Sequence, residues 1–497
     1  MNRQIRRVGL VVVACFVALF LQLNYLQVVS ASRLANHPRN VRAVLRDYSA
    51  PRGDIVTPDG AVVAHSTAVD DEFERQRAYP TGALFGHVSG HFSFTFGATG
   101  VEDAYNGDLA GRSPELALEN LGDWLIGKEP VGDVVLSITN AAQEAARAAL
   151  GERRGSVVVL DPVRGDVLAL WSYPSYDPTP LAGHRAQEVQ AAFDGYRDDP
   201  GNPMLARAFR ERYPPGSTFK VVTAATALET GVATPERRFP SLRSLDLPQS
   251  DKVLRNFGSS SCGGTLVEAF RRSCNTTFAQ LGLDLGEQLA DGAKAFGIGE
   301  NVPFDLSEAA SAGPAAGTFR RNQPSFANAA IGQGDVAVTP LQMAMVAGAI
   351  ANGGVLMAPR VVNEVRDPDG GVARRLEPRE WKRAVSPETA AAVGRMMVDV
   401  VRAGTGRAAA VPGVTVAGKT GTAQAPGGPP HAWFIGFAPA EAPRLALAVI
   451  VERGGDMGDE ATGGRVAAPV AGEVLAKMLA SLPPEGDPGA GVSPGER

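Results

Sequence analysis

The sequence predicts an α+β fold: an antiparallel sheet flanked by helices with a helical subdomain, plus a small β-rich N-terminal domain and one transmembrane helix. Three observations predict it. Strand-like runs cluster at 154–174 and again at 415–453, with mostly helical patterns between them, so one sheet is built from both ends of a unit around an inserted helical block. Residues 30–132 carry short apolar runs broken by turn residues. Residues 8–29 are mostly apolar.

The opening MNRQIRR supplies Arg3, Arg6 and Arg7, and VGLVVVACFVALFL then runs from Val8 to Leu21 without a polar side chain. With the mostly apolar continuation to Val29 the segment approaches the roughly 20 residues that cross a bilayer core. The leading arginines keep residues 1–7 in the cytoplasm and put everything after Val29 outside, at the plasma membrane. A cleaved signal peptide ending at Val29-Ser30-Ala31 is disfavoured, because QLNYLQ separates that site from the apolar core. LQMAMVAGAI, 341–350, is too short to span and reads as a buried core helix.

Composition is that of an ordinary globular protein, with 44% hydrophobic and 20% charged residues and a formal charge of -5. No Lys/Arg block occurs in the body of the chain, which argues against nucleic acid as a partner. Cys15 sits in the anchor, while Cys262 and Cys274 fall in the external part, where an oxidising compartment permits a disulfide. Spacing alone does not show that they meet. The six histidines form no metal signature, and His87 and His91 stand among Gly and Ser as structural residues. No metal and no organic cofactor is expected.

Beyond the anchor, residues 30–132 form a membrane-proximal domain in which APRGDIVTPDGAVVAHS reads as a hairpin. A larger unit, 133–482, opens with DVVLSITNAAQEAARAAL, where Thr139 or Asn140 caps a helix. RGSVVVLDPVRGDVLALWSYP follows as a hairpin at the edge of the sheet, to which TVAGKTGTAQ, AWFIGFAP and RLALAVIVER add strands near the C-terminus. Val466 to Leu482 closes the unit as a helix, and 483–497 reads as a disordered tail.

The stretch YPPGSTFK places Ser217 behind Pro214, Pro215 and Gly216, with Lys220 three residues on and one helical turn away. Alone it reads as a helix start, with Ser217 as cap and Lys220 as a solvated charge. Two further motifs change that reading: SCN, Ser273 to Asn275, after the helical VEAFRR, and KTGT, Lys419 to Thr422, in an extended apolar stretch. Each is weak singly. In the order SxxK, SxN, KTG, the last on a strand near the C-terminus, they form the signature of serine beta-lactamases and penicillin-binding proteins.

The chemistry asks for these residue types. A serine hydroxyl is a poor nucleophile without a base, and Lys220 can serve once burial and a neighbouring charge lower its pKa. Ser273 can relay a proton between Lys220 and the leaving amine, and Asn275 can hold Lys220 or the substrate amide. Lys419 supplies a cation for a peptide's terminal carboxylate, to which the Thr420 and Thr422 hydroxyls add hydrogen bonds. Gly421 is expected to keep the strand edge clear for an extended substrate. The backbone amides of Ser217 and Thr422 are the natural pair of oxyanion donors.

With these motifs, the chain resembles a class B penicillin-binding protein, the single-pass D,D-transpeptidase that cross-links peptidoglycan, in a short form similar to those of high-GC Gram-positive bacteria. WSYPSYDP, GQGDVAVTPLQMA and HAWFIGFAP look like the family's surroundings of the active site, and PRGDI with Arg52 and GVEDAYNGDLAG with Glu102 like its N-terminal motifs. The resemblance implies a beta-lactamase/transpeptidase-like domain, acylation of Ser217 by stem peptides and by beta-lactams, and a SEDS-type membrane glycan polymerase as partner. It also implies a structural role for Arg52 and Glu102. The chain departs from the family in having TPDG after its Arg-Gly motif and in lacking the large inserted head from Ala68 to Pro80. A serine beta-lactamase shares the acylation chemistry, but the anchor and the extra domain favour the transpeptidase. A hundred residues are too few for a glycan polymerase domain, and a non-catalytic scaffold would have lost one of the motifs.

Overall fold

The structure, a computed structural model, describes residues 2–25, 48–113, 116, 131–425 and 427–482. The end of the expected anchor, 26–29, the start of the membrane-proximal domain and the expected tail, 483–497, lie outside the described residues. The chain divides into two compact units: Met1–Pro51 with Ser66–Gln76, and Arg52–His65 with Arg77–Arg497.

The first unit holds the helix Asn2–Asn24, whose stretch Arg6–Asn24 is long and apolar enough to cross a membrane. Its large apolar side chains, such as Phe16 and Phe20, are exposed, as a span that packs against lipid requires. The same unit contains a turn closed by Val69 N–H on Glu74 O at 2.9 Å.

In the second unit a five-stranded, wholly antiparallel sheet runs in the order Ala417–Ala425, Gly428–Ala438, Leu445–Val451, Gly155–Leu160, Val167–Tyr173. Both ends of the unit build it, as the two strand clusters in the sequence predict. Leu445–Val451 reads LALAVIV with every residue buried, the pattern of a central strand covered on both faces. The helices Pro340–Ala351 and Ala467–Ser481 pack on it. Pro340–Ala351 is buried from Pro340 to Ile350, as its unbroken apolar composition demands. Thr339 caps that helix by accepting from Gln342 N–H, and Thr139 caps Asn140–Leu150 in the same way. The helical block inserted between the strand groups includes Lys220–Glu229, Leu266–Arg272, Asn275–Leu285, Gln323–Ala329 and Pro387–Ala403.

A second sheet has six strands in the order Val372–Arg375, Val362–Arg366, Asp133–Leu136, Ile55–Val56, Val62–Ala68, Arg75–Ala78. The hairpin expected from APRGDIVTPDGAVVAHS is there, with Ile55 opposite Ala64. This sheet crosses the boundary expected at 132/133: Ile55 pairs in parallel with Val134, and Val365 pairs antiparallel with Val134 from the other side. A strand as short as Asp133–Leu136 is stable only between partners, and its second partner comes from far along the chain. Beside the sheet Glu102, fully buried, accepts from Arg52 Nε at 2.7 Å and Arg77 Nε at 2.6 Å, and Arg52 lies 4.0 Å over the Phe92 ring. His87 and His91 are buried against Tyr176.

Candidate active site

Three segments far apart in sequence meet at one cleft, and the local sequence of each explains its shape. Pro214 and Pro215 hold an extended approach that Gly216 breaks at φ +53, turning the chain into a single 3₁₀ turn, Gly216–Phe219, from which the helix Lys220–Glu229 continues. Gly216 N–H donates to Gly332 O at 2.9 Å, anchoring the turn on the GQGD segment. Ser217 stands on this turn at the cleft wall. Its hydroxyl caps neither the turn nor the helix, so the cap reading of the sequence is set aside.

The second segment starts at a capping box in which Thr265 Oγ1 accepts from Glu268 N–H and Glu268 Oε2 accepts from Thr265 N–H. The helix Leu266–Arg272 then ends on Ser273 in the left-handed conformation, φ +61 and ψ +43, an uncommon setting for a residue with a Cβ and one that recurs at functional sites. That reversal turns Ser273 and Asn275 toward Lys220. Lys220 Nζ donates to Ser273 O at 2.8 Å, to Asn275 Oδ1 at 2.8 Å and to Ser273 Oγ at 3.3 Å.

The third segment is the strand Ala417–Ala425, which lies at the edge of the five-stranded sheet, so one side of its backbone is open to a peptide. Thr420 and Thr422 line the cleft, and the Thr420 hydroxyl is 2.6 Å from that of Thr405. Gly421 has a different task from the one expected. A Cβ there would stand 2.7 Å from Pro215 O and 2.9 Å from Thr218 Cγ2, so the missing side chain faces the turn that carries Ser217, not the open cleft. The backbone just before Ser217 comes close to Thr422 at the same seam: a Cβ on Gly216 would lie 2.8 Å from Thr422 O.

Lys419 also differs from expectation. Its side chain has no exposed surface, and Nζ donates to Ser273 Oγ at 2.9 Å and Thr420 O at 2.9 Å. The cation therefore stands behind Ser273, and the groups of the KTG motif that reach the cleft are the threonines. The two lysines share one hydroxyl. Burial pushes the Lys419 amine down to about 7. Burial first, and the Lys419 charge second, push Lys220 well below the 10.5 of a free lysine, which favours the free amine that can take a proton. No hydrogen bond joins Lys220 Nζ to Ser217 Oγ; such contacts in free enzymes commonly close only when substrate is bound.

Cys262 and Cys274 are joined by a disulfide with Cα atoms 5.5 Å apart, and Cys274 adjoins Ser273. Among the described residues no group of three or more His, Cys, Asp or Glu is placed to hold a metal.

Sequence reasoning missed the support beneath Ser217. Tyr213 donates to Glu452 Oε1 at 2.7 Å, Arg207, fully buried, pairs with the same oxygen at 2.9 Å, and Arg154 pairs with Oε2 at 2.7 Å. Tyr213 packs edge-on against His431 and Trp433, and Trp433 Nε1 donates to Pro214 O at 3.0 Å. Glu452 thus fixes the approach to Ser217 from a position 245 residues beyond Arg207, and no local pattern in the sequence marks that pairing.

A serine with two buried amines at its back, beside an open edge strand, defines a serine acyltransferase site on a transpeptidase fold. The chain belongs to the penicillin-binding protein transpeptidase family: residues 155–476 match the penicillin binding protein transpeptidase domain, and 52–135 match the penicillin binding protein A dimerisation domain. It is 40% identical to the peptidoglycan D,D-transpeptidase PbpA of Mycolicibacterium smegmatis, over 96% of this chain and 99% of the relative. The ceftriaxone acyl-enzyme of penicillin-binding protein A from M. tuberculosis superposes with a TM-score of 0.82 at 38% identity, covering 88% of this chain and all of the other. Pseudomonas aeruginosa PBP2, in complex with WCK 5153, gives a TM-score of 0.72 at 30% identity over 86% of this chain and 95% of the other.

Proposed function

We propose that this protein is a peptidoglycan D,D-transpeptidase that works through an acyl-enzyme on Ser217. The observation that carries the reading is the pair of buried amines, Lys220 and Lys419, converging on the Ser273 hydroxyl behind a serine at the cleft wall. The likeness to a protein crystallised as beta-lactam acyl-enzymes supports it.

In the first half-reaction Lys220, as free amine, takes the Ser217 proton while Oγ attacks the penultimate D-Ala carbonyl. The oxyanion is held by the Ser217 and Thr422 amides, a preorganised pair that costs no reorganisation at the moment of reaction. Ser273 passes the proton from Lys220 to the leaving D-Ala nitrogen, and the C–N bond breaks. Asn275 keeps Lys220 aimed, accepting from it through Oδ1. In the second half-reaction an amine of a neighbouring stem peptide attacks the ester, its proton returns through the same relay, and Ser217 is released. Water in place of the amine gives a D,D-carboxypeptidase side reaction. Lys419 polarises Ser273 and contributes positive potential for the substrate's terminal carboxylate, which Thr420 and Thr422 bind directly. Beta-lactams enter as mimics of D-Ala-D-Ala.

The arrangement in the cell follows the sequence: residues 1–7 cytoplasmic, 8–29 the single anchor, 30–132 a membrane-proximal domain, 133–482 the catalytic domain outside the plasma membrane, and 483–497 a tail. A SEDS-type glycan polymerase in the same membrane is the partner that supplies uncross-linked strands, contacted through the anchor and the outer domain. The test is labelling of the protein with fluorescent penicillin, with Ser217→Ala as control, followed over hours. A lasting adduct confined to Ser217 supports a transpeptidase. Loss of label within minutes marks a beta-lactamase instead, and no label on folded protein overturns the acyl-enzyme.

A further inference from the structure

The charge of the cleft is one-sided. This opening of about 1440 Å³ is lined by Lys252, Arg255, Arg272, Arg407 and Arg465 and, among the described residues, by no aspartate or glutamate, in a chain whose formal charge is -5. The cations fall into two groups. Arg407 and Arg465 belong to the segments that carry Thr405 and Thr462, on the side of the KTG strand, and Arg465 already reaches Glu460 at 3.5 Å.

The other three belong to the wall that holds the SxN motif. Arg255 ends the strand Val253–Arg255, and its carbonyl accepts from Asn275 Nδ2 at 3.1 Å. Arg272 directly precedes Ser273, and its guanidinium donates to Ser261 O at 2.9 Å. Two of the three cations are thus tied through the backbone to the catalytic residues. All three are exposed, and among the described residues none has a carboxylate at ion-pair distance. Phe257, two residues beyond Arg255 on the same wall, is 74% exposed, an aromatic face left open beside unpaired cations.

Like charges gathered along a cleft repel one another and focus a positive potential within it, a state that an entering anion relieves. Thr420 and Thr422, on the opposite side, receive the terminal carboxylate in the reading above. A second anion is needed to complement the SxN wall. We propose that Lys252, Arg255 and Arg272, with Phe257 as an apolar platform, form a subsite for a second carboxylate of the peptide substrate, set back from its D-Ala-D-Ala end. The enzyme then prefers acidic stem peptides to amidated ones. The proposal rests on the transpeptidase reading and adds a determinant of specificity to it.

The test uses the full-length protein and two pentapeptides ending in D-Ala-D-Ala, one with glutamate and one with glutamine at its second position, as protectants of Ser217 against fluorescent penicillin. The ratio of the two protecting concentrations, taken within each variant, cancels any change in labelling itself. In the wild type the acidic peptide protects at about a tenfold lower concentration, the sum expected of a few exposed ion pairs, and added salt narrows the gap. Lys252→Gln, Arg255→Gln and Arg272→Gln each narrow it, the triple variant closes it, and Arg255→Glu shifts the preference toward the glutamine peptide. Equal protection by both peptides in the wild type overturns the subsite, as does protection by neither while Ser217 is labelled, or a gap that persists in the triple variant. Absence of labelling in folded wild-type protein overturns the acyl-enzyme itself, and the subsite with it.

Discussion

Replacing Gly421 with alanine adds one methyl group where the KTG strand meets the turn that carries Ser217. That carbon would stand 2.7 Å from Pro215 O, 2.9 Å from Thr218 Cγ2 and 3.1 Å from Thr218 N, where ordinary contacts begin at 3.4 Å. Two of the three neighbours are backbone atoms, so relief must come from separating strand and turn by about 0.7 Å rather than from a rotamer change. Ser217 and Thr422 lie on the two sides of that seam, and a misplacement on the order of 1 Å costs about 10²-fold in rate. Gly421→Ala should therefore slow acylation of Ser217 by some tens-fold and destabilise the fold by about 1–3 kcal/mol through overpacking. The assay is the second-order rate of fluorescent-penicillin labelling, with a melting curve on the same sample. Gly195→Ala is the control: its Cβ would meet nothing within 4 Å, and it lies inside the helix Ala186–Asp198, so it should stabilise by about 0.5–1 kcal/mol and label normally. If Gly421→Ala labels at the wild-type rate with an unaltered melting temperature, the glycine does not set the seam.

Three further outcomes follow from the same structure. Acylation should rise with pH as Lys220 loses its proton, and because the Lys419 charge helps to lower that pKa, Lys419→Met should move the acid limb of the labelling profile to higher pH; a residual profile that stays in place sinks the coupling. Glu102→Gln leaves two buried guanidiniums without their countercharge and should cost about 3–5 kcal/mol by thermal or chemical unfolding. The arginines hold the Glu102 carboxyl below the 4.5 of a free glutamate despite its burial; its contribution is therefore complete above that value and is lost as pH falls through the lowered one, which the variant's flatter acid limb would reveal. Cys262→Ser opens a loop of 12 residues and should lower stability by about 3 kcal/mol under non-reducing conditions, a difference that reductant should erase by bringing the wild type down to the variant.

The catalytic motifs were legible because each is short and its chemistry depends on spacing. Serine and lysine at i and i+3 lie one turn apart on any helix, and a Lys-Thr-Gly inside an extended apolar stretch near the C-terminus reads as a strand. The five-stranded sheet was legible for the same reason, since LALAVIV and SVVVL declare themselves locally. Direction was not. Whether the Lys419 ammonium faces the cleft or Ser273, and whether Gly421 clears space for substrate or for Pro215, depends on which neighbour the fold brings to each face of the strand. Glu452 was invisible because its partners, Arg154, Arg207 and Tyr213, are scattered single residues with no shared period. The strands Val362–Arg366 and Val372–Arg375 were hidden similarly: five and four residues among polar turns carry little signal until the sheet they complete is known.

That sheet also sets a timetable. Val135 has its partner at Glu364, so while the chain is being made the strand Asp133–Leu136 emerges long before Val362–Arg366 can reach it. At about 5–20 residues per second the interval is on the order of tens of seconds. Throughout it one row of amide and carbonyl groups is left as an open edge, the kind of surface on which nascent chains aggregate. The sheet's early strands, though among the first parts of the chain to be made, are among the last to be finished, and anything that shields them in the meantime acts on a piece of the chain that no truncation ending before Arg366 could complete.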